Sequence, residues 1–132
     1  DVLKVLAGRR LATAESLTGG GIGQTITSVS GASAVFAGGV ISYTNEVKHA
    51  VLGVPMDVLD TCGAVSAPVA KAMAEGARRV IGADVAVAVT GLAGPDGDES
   101  TAFAREYHFT GDRAQVREQT IEAALALILE LN

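Results

Sequence analysis

The segment 13–55 concentrates the residue types that could carry out chemistry. It contains several serines, a glycine-rich stretch at 18–21, Tyr43 and a single lysine, Lys48, with no histidine before His49. A serine attacks a carbonyl carbon only when a base takes its proton, and lysine can be that base when burial lowers its pKa toward neutrality. The segment therefore predicts amide hydrolysis or acyl transfer that uses neither a metal nor an imidazole.

Residue spacing alone does not identify the nucleophile. Ser16, Ser30 and Ser33 are all candidates, and serines in such segments are more often turn or cap residues. An isolated lysine is also more often exposed than buried, although the neighbours of Lys48 are mostly apolar. Tyr43 could pack against the protein or relay a proton.

The elements that must position these residues alternate between strand and helix. This alternation predicts a three-layer α/β/α sandwich with a largely parallel, mixed central sheet. Residues 91–97 are rich in glycine and follow the clearest strand, so they are expected to form a ligand-binding loop at the carboxyl edge of the sheet. The patterns predict strands at 11–14, 35–43, 84–90 and 103–109, and helices at 2–6, 22–28, 45–52, 67–81 and 112–131.

Composition and charge argue against several classes of partner and site. The 132 residues predict a single domain, 1–132, and the net charge of −5 argues against nucleic-acid or anionic-membrane partners. No stretch approaches the roughly 18 apolar residues of a membrane-spanning helix. The one cysteine, Cys62, cannot form an internal disulfide, which favours a reducing compartment and predicts a cytoplasmic protein. The two histidines lack ligand spacing, so no metal site is predicted.

Several motifs, in the same order along the chain, resemble the CinA C-terminal domain family of competence/damage-inducible proteins. The motifs are Ala14-Glu15-Ser16-x-Thr18-Gly19-Gly20, Ser30-Gly31-Ala32-Ser33, Tyr43, Asn45-x-x-Lys48, Thr90-Gly91-x-Ala93-Gly94-Pro95-Asp96-Gly97 and Gly111-Asp112-Arg113. The resemblance implies nicotinamide mononucleotide deamidase activity. This reaction hydrolyses the nucleotide's carboxamide to nicotinic acid mononucleotide and ammonia, without a cofactor, in NAD salvage.

The resemblance also implies roles for individual residues. Ser33 is favoured as the nucleophile over Ser16, which precedes the glycine turn, while Lys48 is the general base and Tyr43 assists the proton transfer. The residues expected to bind substrate are Thr18, Gly19, Gly20, Thr90, Gly91, Ala93, Gly94 and Arg113.

The chain departs from the family pattern at two places. Leu17 replaces the family's cysteine, and a segment that the family carries after Gly97 is missing, so residues are expected to be absent near 98–102. The second departure leaves an alternative open, namely a catalytically inactive nucleotide-binding or protein-interaction module linked to competence or the DNA damage response. A homo-oligomer, most simply a dimer, is expected because helix faces are apolar.

Overall fold

A single mixed sheet organises the chain. The computed structural model describes residues 2–90, 92–96, 105–106 and 111–130. The sheet order is β2-β1-β3-β4-β5, with β1 parallel to both β2 and β3, β4 antiparallel to β3, and β5 antiparallel to β4. The strands are β1 (Leu11–Glu15), β2 (Phe36–Ile41), β3 (Val85–Val89), β4 (Leu92–Asp96) and β5 (Arg105–Glu106).

Helices cover both faces of the sheet, which confirms the predicted three-layer α/β/α class. The described helices are α1 (Val2–Val5), α2 (Gly21–Thr27), α3 (Asn45–Ala50), α4 (Met56–Cys62), α5 (Ala67–Ile81) and α6 (Arg113–Leu129), with a 3₁₀ turn at Ala32–Ala34. None of the described helices has the length and apolar content needed to cross a membrane.

The alternating sequence of β3 explains the layering. Its valines pack into one apolar cluster with residues of α2 and α6, such as Ile22 and Leu127, whereas Ala86 and Ala88 join a second cluster with Met73 of α5. Successive side chains of a strand point to opposite faces, so a strand buried on both sides must be apolar throughout. The small alanines leave room for α5 to pack closely on its face.

Two capped helices begin beside the carboxyl edge of the parallel strands. Thr44 caps α3, because its hydroxyl accepts a hydrogen bond from Val47 N, and Asp112 forms a capping box with Gln115 at the start of α6. Ser66 caps α5, because its hydroxyl accepts a hydrogen bond from Val69 N, and Pro68 lies in the first turn of that helix. The caps fix where α3 and α6 start, and hence where their first-turn side chains lie.

The prediction of a loop at 91–97 is wrong for residues 92–96, the part of this segment that the structure describes. Residues Leu92–Asp96 form β4, whose backbone pairs with β3. Pro95 is tolerated because β5 pairs only with Leu92 and Ala93, so β4 is an edge strand at Pro95 within the described register. Of the strand expected at 103–109, only β5 lies in the described residues, and α4 was not predicted.

Candidate active site

Ser16 and Lys48 meet at the carboxyl edge of β1. Ser16 is the first residue after the strand, and Lys48 comes from α3, which follows β2. Lys48 Nζ lies 3.2 Å from Ser16 Oγ and 3.1 Å from the carbonyl oxygen of Tyr43. Lys48 is only 2% exposed and Ser16 only 8%, so this contact is nearly free of solvent.

The setting of Lys48 makes its ammonium group easier to deprotonate. Burial lowers the pKa of Lys48 below its ordinary value of 10.5, because an ammonium group loses its hydration there. Its two hydrogen-bond acceptors, the Ser16 hydroxyl and the Tyr43 carbonyl, are both uncharged. A neutral amine at this position can accept the Ser16 proton, which is what an amide hydrolase requires of its base.

Within one copy of the chain the structure does not bring together Ser33 and Lys48, the pair that the resemblance implied. Ser33 is exposed in the 3₁₀ turn before β2, and its carbonyl accepts a hydrogen bond from the Arg10 guanidinium at 2.7 Å. Arg10 directly precedes β1 and therefore marks the amino edge of the sheet. Lys48 lies at the carboxyl edge, and a strand of this length separates the two edges by roughly 16 Å.

Tyr43 contacts Lys48 through its backbone rather than its phenol. The carbonyl oxygen accepts the Lys48 hydrogen bond, while the side chain is 62% exposed. Tyr43 also lines a cleft together with Leu17 and residues of α6. Tyr43 is thus part of the site, but its contact with Lys48 anchors the amine and is not a proton relay.

Glu15 occupies the glycine turn that was expected to cradle substrate. Its side chain is 2% exposed and accepts hydrogen bonds from the backbone N–H groups of Ile22 and Gly23, at the start of α2, and from two threonine hydroxyls. One of these hydroxyls belongs to Thr18, at 2.7 Å. These donors are already satisfied within the protein.

Gly19 and Gly20 shape the backbone of the same turn. Gly19 N–H donates to the Ser16 carbonyl, and Gly19 and Gly20 have φ angles of +59° and +101°, which favour glycine. The N–H of Leu17, directly after Ser16, makes no hydrogen bond within the part of the chain that the structure describes.

The residues near β3 and β4 that were predicted to bind substrate make hydrogen bonds or strand pairs within the protein. The Thr90 hydroxyl is buried and donates to the Ala64 carbonyl at 2.7 Å. Ala93 and Gly94 pair with β3 in the sheet, so their backbone does not form the expected loop. Gly91 lies outside the described residues.

A cleft of about 300 Å³ is lined by neighbours of the serine–lysine pair, although neither Ser16 nor Lys48 itself lines it. Its lining includes Leu17, the chain neighbour of Ser16, and Tyr43, which accepts the Lys48 hydrogen bond. Arg113 and Arg117 line it from α6, and Arg117 Nη2 also donates to the Thr18 carbonyl at 3.2 Å. The volume is at the lower end of the range for small-molecule sites. Larger grooves, of about 420 and 650 Å³, contain none of the predicted site residues.

Comparison with known proteins identifies the family. The model of the CinA C-terminal domain matches residues 2–104. The chain belongs to the CinA C-terminal domain family. A CinA-like protein of Geobacter sulfurreducens is 47% identical over 89% of this chain, and the chain spans 32% of that relative's length.

Solved structures agree with this CinA membership. The competence/damage inducible protein CihA of Agrobacterium tumefaciens has a TM-score of 0.94 at 32% identity, covering 99% of this chain and 90% of that one. A CinA superfamily protein of Klebsiella pneumoniae has a TM-score of 0.93 at 28% identity, covering 98% and 92%. The fold that holds the serine–lysine pair is therefore a CinA fold.

Sequence reasoning missed two residues of this CinA-family site. Glu15 belongs to the motif at 14–20, but no sequence pattern indicates that its carboxylate holds the start of α2. Arg117 lies four residues after Arg113, a spacing that puts both on one face of a helix, and that signal could have identified it. The family match ends at residue 104, so both arginines lie outside the matched segment.

Proposed function

We propose that the chain hydrolyses the carboxamide of nicotinamide mononucleotide to nicotinic acid mononucleotide and ammonia, in NAD salvage. Ser16 is the nucleophile and Lys48 the general base. The observation that carries this proposal is the 3.2 Å contact between Lys48 Nζ and Ser16 Oγ in a nearly solvent-free setting. CinA-family membership supports the reaction class, and the geometry of the pair supports Ser16 over Ser33.

The reaction proceeds in two halves. Neutral Lys48 takes the Ser16 hydroxyl proton while Oγ attacks the carboxamide carbon, which gives a tetrahedral oxyanion. The carbon–nitrogen bond then breaks, and the Lys48 ammonium returns the proton to the leaving nitrogen, so ammonia departs and an ester remains on Ser16. Water attacks this ester while Lys48 accepts a proton from it. The bond between the acyl carbon and Ser16 Oγ then breaks and Lys48 gives that proton to Oγ, which releases the carboxylic acid and restores the serine and the neutral amine.

Binding groups for the substrate surround the pair. The Leu17 N–H follows the nucleophile directly, and a donor at that place can stabilise the oxyanion by on the order of 3 kcal/mol. Arg113 and Arg117 line the cleft of about 300 Å³, where guanidinium groups bind phosphate oxygens in bidentate fashion. The substrate would thus have its carboxamide at Ser16 and its phosphate toward α6.

Ammonia release from nicotinamide mononucleotide tests the assignment. We expect the Ser16→Ala and Lys48→Met variants to lose activity by on the order of 10³-fold or more, because removal of one member of such a unit disables it. Ser33→Ala should keep most of the wild-type rate. Ser30→Ala is a matched control, since Ser30 is an exposed serine of the same segment.

Two outcomes would overturn the proposal. If Ser33→Ala abolishes release while Ser16→Ala stays active, Ser16 is not the nucleophile. If the folded wild-type chain binds the nucleotide but releases no ammonia, the inactive binding module is the correct function. Mass spectrometry of acid-quenched enzyme adds a direct readout, because the proposal requires the acyl ester on the peptide that contains Ser16.

A further inference from the structure

Ser42 has a buried hydroxyl group without a hydrogen-bond partner. The residue directly follows β2, and it is 0% exposed. Its Oγ makes no hydrogen bond with any residue that the structure describes. Because an unpaired buried hydroxyl costs free energy, we expect this group to find a partner in another state of the protein.

Ser42 lies opposite Ser16 on the neighbouring strand. Ile41 pairs with Glu15, and the Ser42 N–H donates to the Glu15 carbonyl at 2.8 Å, so the parallel pairing continues as far as the two serines. Neighbouring strands of a sheet are about 4.8 Å apart. The hydroxyl of Ser42 is therefore about one strand spacing from the proposed nucleophile.

Both serines point to the face of the sheet that carries Lys48. Ala14 and Val40 pack in the apolar cluster on the α5 side. Side chains two positions apart on a strand share a face, so Ser16 and Ser42 lie on that side too. Lys48 is on the same side, because its Nζ contacts Ser16 Oγ at 3.2 Å.

The hydrogen bonds of Lys48 leave one donor position unfilled. A lysine ammonium group has three N–H donors and no acceptor. Within the described residues, Lys48 Nζ contacts two acceptors, Ser16 Oγ and the Tyr43 carbonyl. Ser42 neighbours both, since it lies across the strand pair from Ser16 and directly precedes Tyr43. An unpaired donor is most costly on a buried charge, which is the state of Lys48 once it holds the Ser16 proton.

We propose that Ser42 is a positioning residue of the serine–lysine pair, whose Oγ accepts the third N–H of Lys48 as the ammonium forms. A charged donor makes a stronger hydrogen bond than a neutral one, so this contact strengthens as the proton is transferred. An interaction that is stronger in the transition state than in the ground state raises kcat. The inference rests on the proposed function, because it requires Lys48 to act as the base.

The kinetics of ammonia release by Ser42→Ala test the proposal. We expect kcat to fall by roughly 10- to 100-fold, as for the loss of a hydrogen bond to a charged group. KM should stay at the wild-type value, because Ser42 is fully buried and does not touch the substrate. Thr120→Val is the matched control. Thr120 is a buried threonine of α6, which packs on the opposite face of the sheet, so this variant should keep the wild-type kcat.

Urea denaturation separates this role from a structural one. Ser42→Ala removes a hydroxyl that has no partner among the described residues, so its unfolding midpoint should equal or exceed that of the wild type. Ser42→Cys keeps a similar side-chain size but offers only a weak acceptor, so its kcat should also fall.

The inference and the proposed function fail in different ways. A Ser42→Ala variant with the wild-type kcat, or one whose lower kcat accompanies a lower unfolding midpoint, overturns the role of Ser42 and leaves the proposed function in place. So does Ser42→Cys with the full kcat, since the shape of the side chain would then suffice. A folded wild-type chain that releases no ammonia overturns the proposed function, and the role of Ser42 with it.

Discussion

Glu15 provides the sharpest test of how the site is held together. Its carboxylate is 2% exposed and takes four hydrogen bonds. Oε1 accepts from Thr18 Oγ1 at 2.7 Å and Ile22 N at 2.8 Å, and Oε2 accepts from Thr13 Oγ1 at 3.1 Å and Gly23 N at 3.0 Å. The hydroxyls can rotate toward other acceptors, but the two backbone N–H groups cannot.

The expected cost follows from those two N–H groups. Glu15→Ala leaves both without an acceptor, at about 1–3 kcal/mol each, so we expect the free energy of unfolding to fall by about 2–6 kcal/mol. Glu15→Gln keeps the shape and one oxygen, so one N–H faces an amide NH₂ group and the expected loss is about 1–3 kcal/mol. Because a typical domain has about 5–15 kcal/mol of stability, the alanine variant should be severely weakened.

Urea denaturation measures these losses. Glu75→Gln, at an exposed glutamate of α5, is the control and should change the unfolding free energy by less than about 0.5 kcal/mol. The reasoning fails if Glu15→Ala costs less than about 1 kcal/mol, or if the glutamine variant is as stable as the wild type. Either result would mean that the start of α2 does not depend on this carboxylate.

Two further predictions concern the helices around Lys48. Gly76→Ala should destabilise the protein by about 1–3 kcal/mol in thermal or urea unfolding, because a Cβ at Gly76 would overlap the Leu52 carbonyl. At an unhindered helix position, replacing glycine by alanine stabilises a protein by about 1 kcal/mol. A stabilisation of that kind at Gly76 would contradict the packing. Lys48→Met should change how stability depends on pH. Burial lowers the folded-state pKa of Lys48 below 10.5, so between the two pKa values the unfolded wild-type chain binds more protons and its unfolding free energy rises with pH. Wild-type stability relative to the methionine variant should therefore increase from pH 7 to pH 10 in urea denaturation. The exposed Lys71→Met change should show no such trend, and a parallel pH dependence in both variants would refute the buried amine.

The parts of the fold that were predictable are those fixed by local pattern. The valine–alanine alternation of 85–89 is apolar on both faces, which is typical of a central strand. Ser66 followed by Pro68 favours the start of a helix whatever the tertiary structure around it. The failure at 91–97 has the opposite cause. Glycine and proline content favours a loop, but the open edge of β3 needed a backbone partner, and β4 supplied it.

The choice of serine could not be predicted because it depends on a contact across 32 positions of sequence. Ser16 and Ser33 both lie near glycines in motifs of the family, and both precede Lys48. Only the path of the chain decides between them. β1 runs from Arg10 toward Ser16 and β2 runs parallel to it, so residues before β2 lie at the opposite edge from the helix that follows it.

Glu15 is the last residue of β1 and Ser16 follows it, so their side chains have different neighbours. This arrangement keeps the Glu15 carboxylate apart from the serine–lysine pair. The Glu15 carboxylate binds the amides at the start of α2, the very groups that an anionic ligand would otherwise use. A buried carboxylate there also repels a phosphate. The anionic end of a nucleotide must then bind elsewhere, and the cleft has Arg113 and Arg117 on α6. In the proposed reaction the amide end would then lie beside Ser16, where Lys48 acts as the base. On that proposal, the carboxylate that fixes the turn after Ser16 would also set the orientation in which the substrate enters.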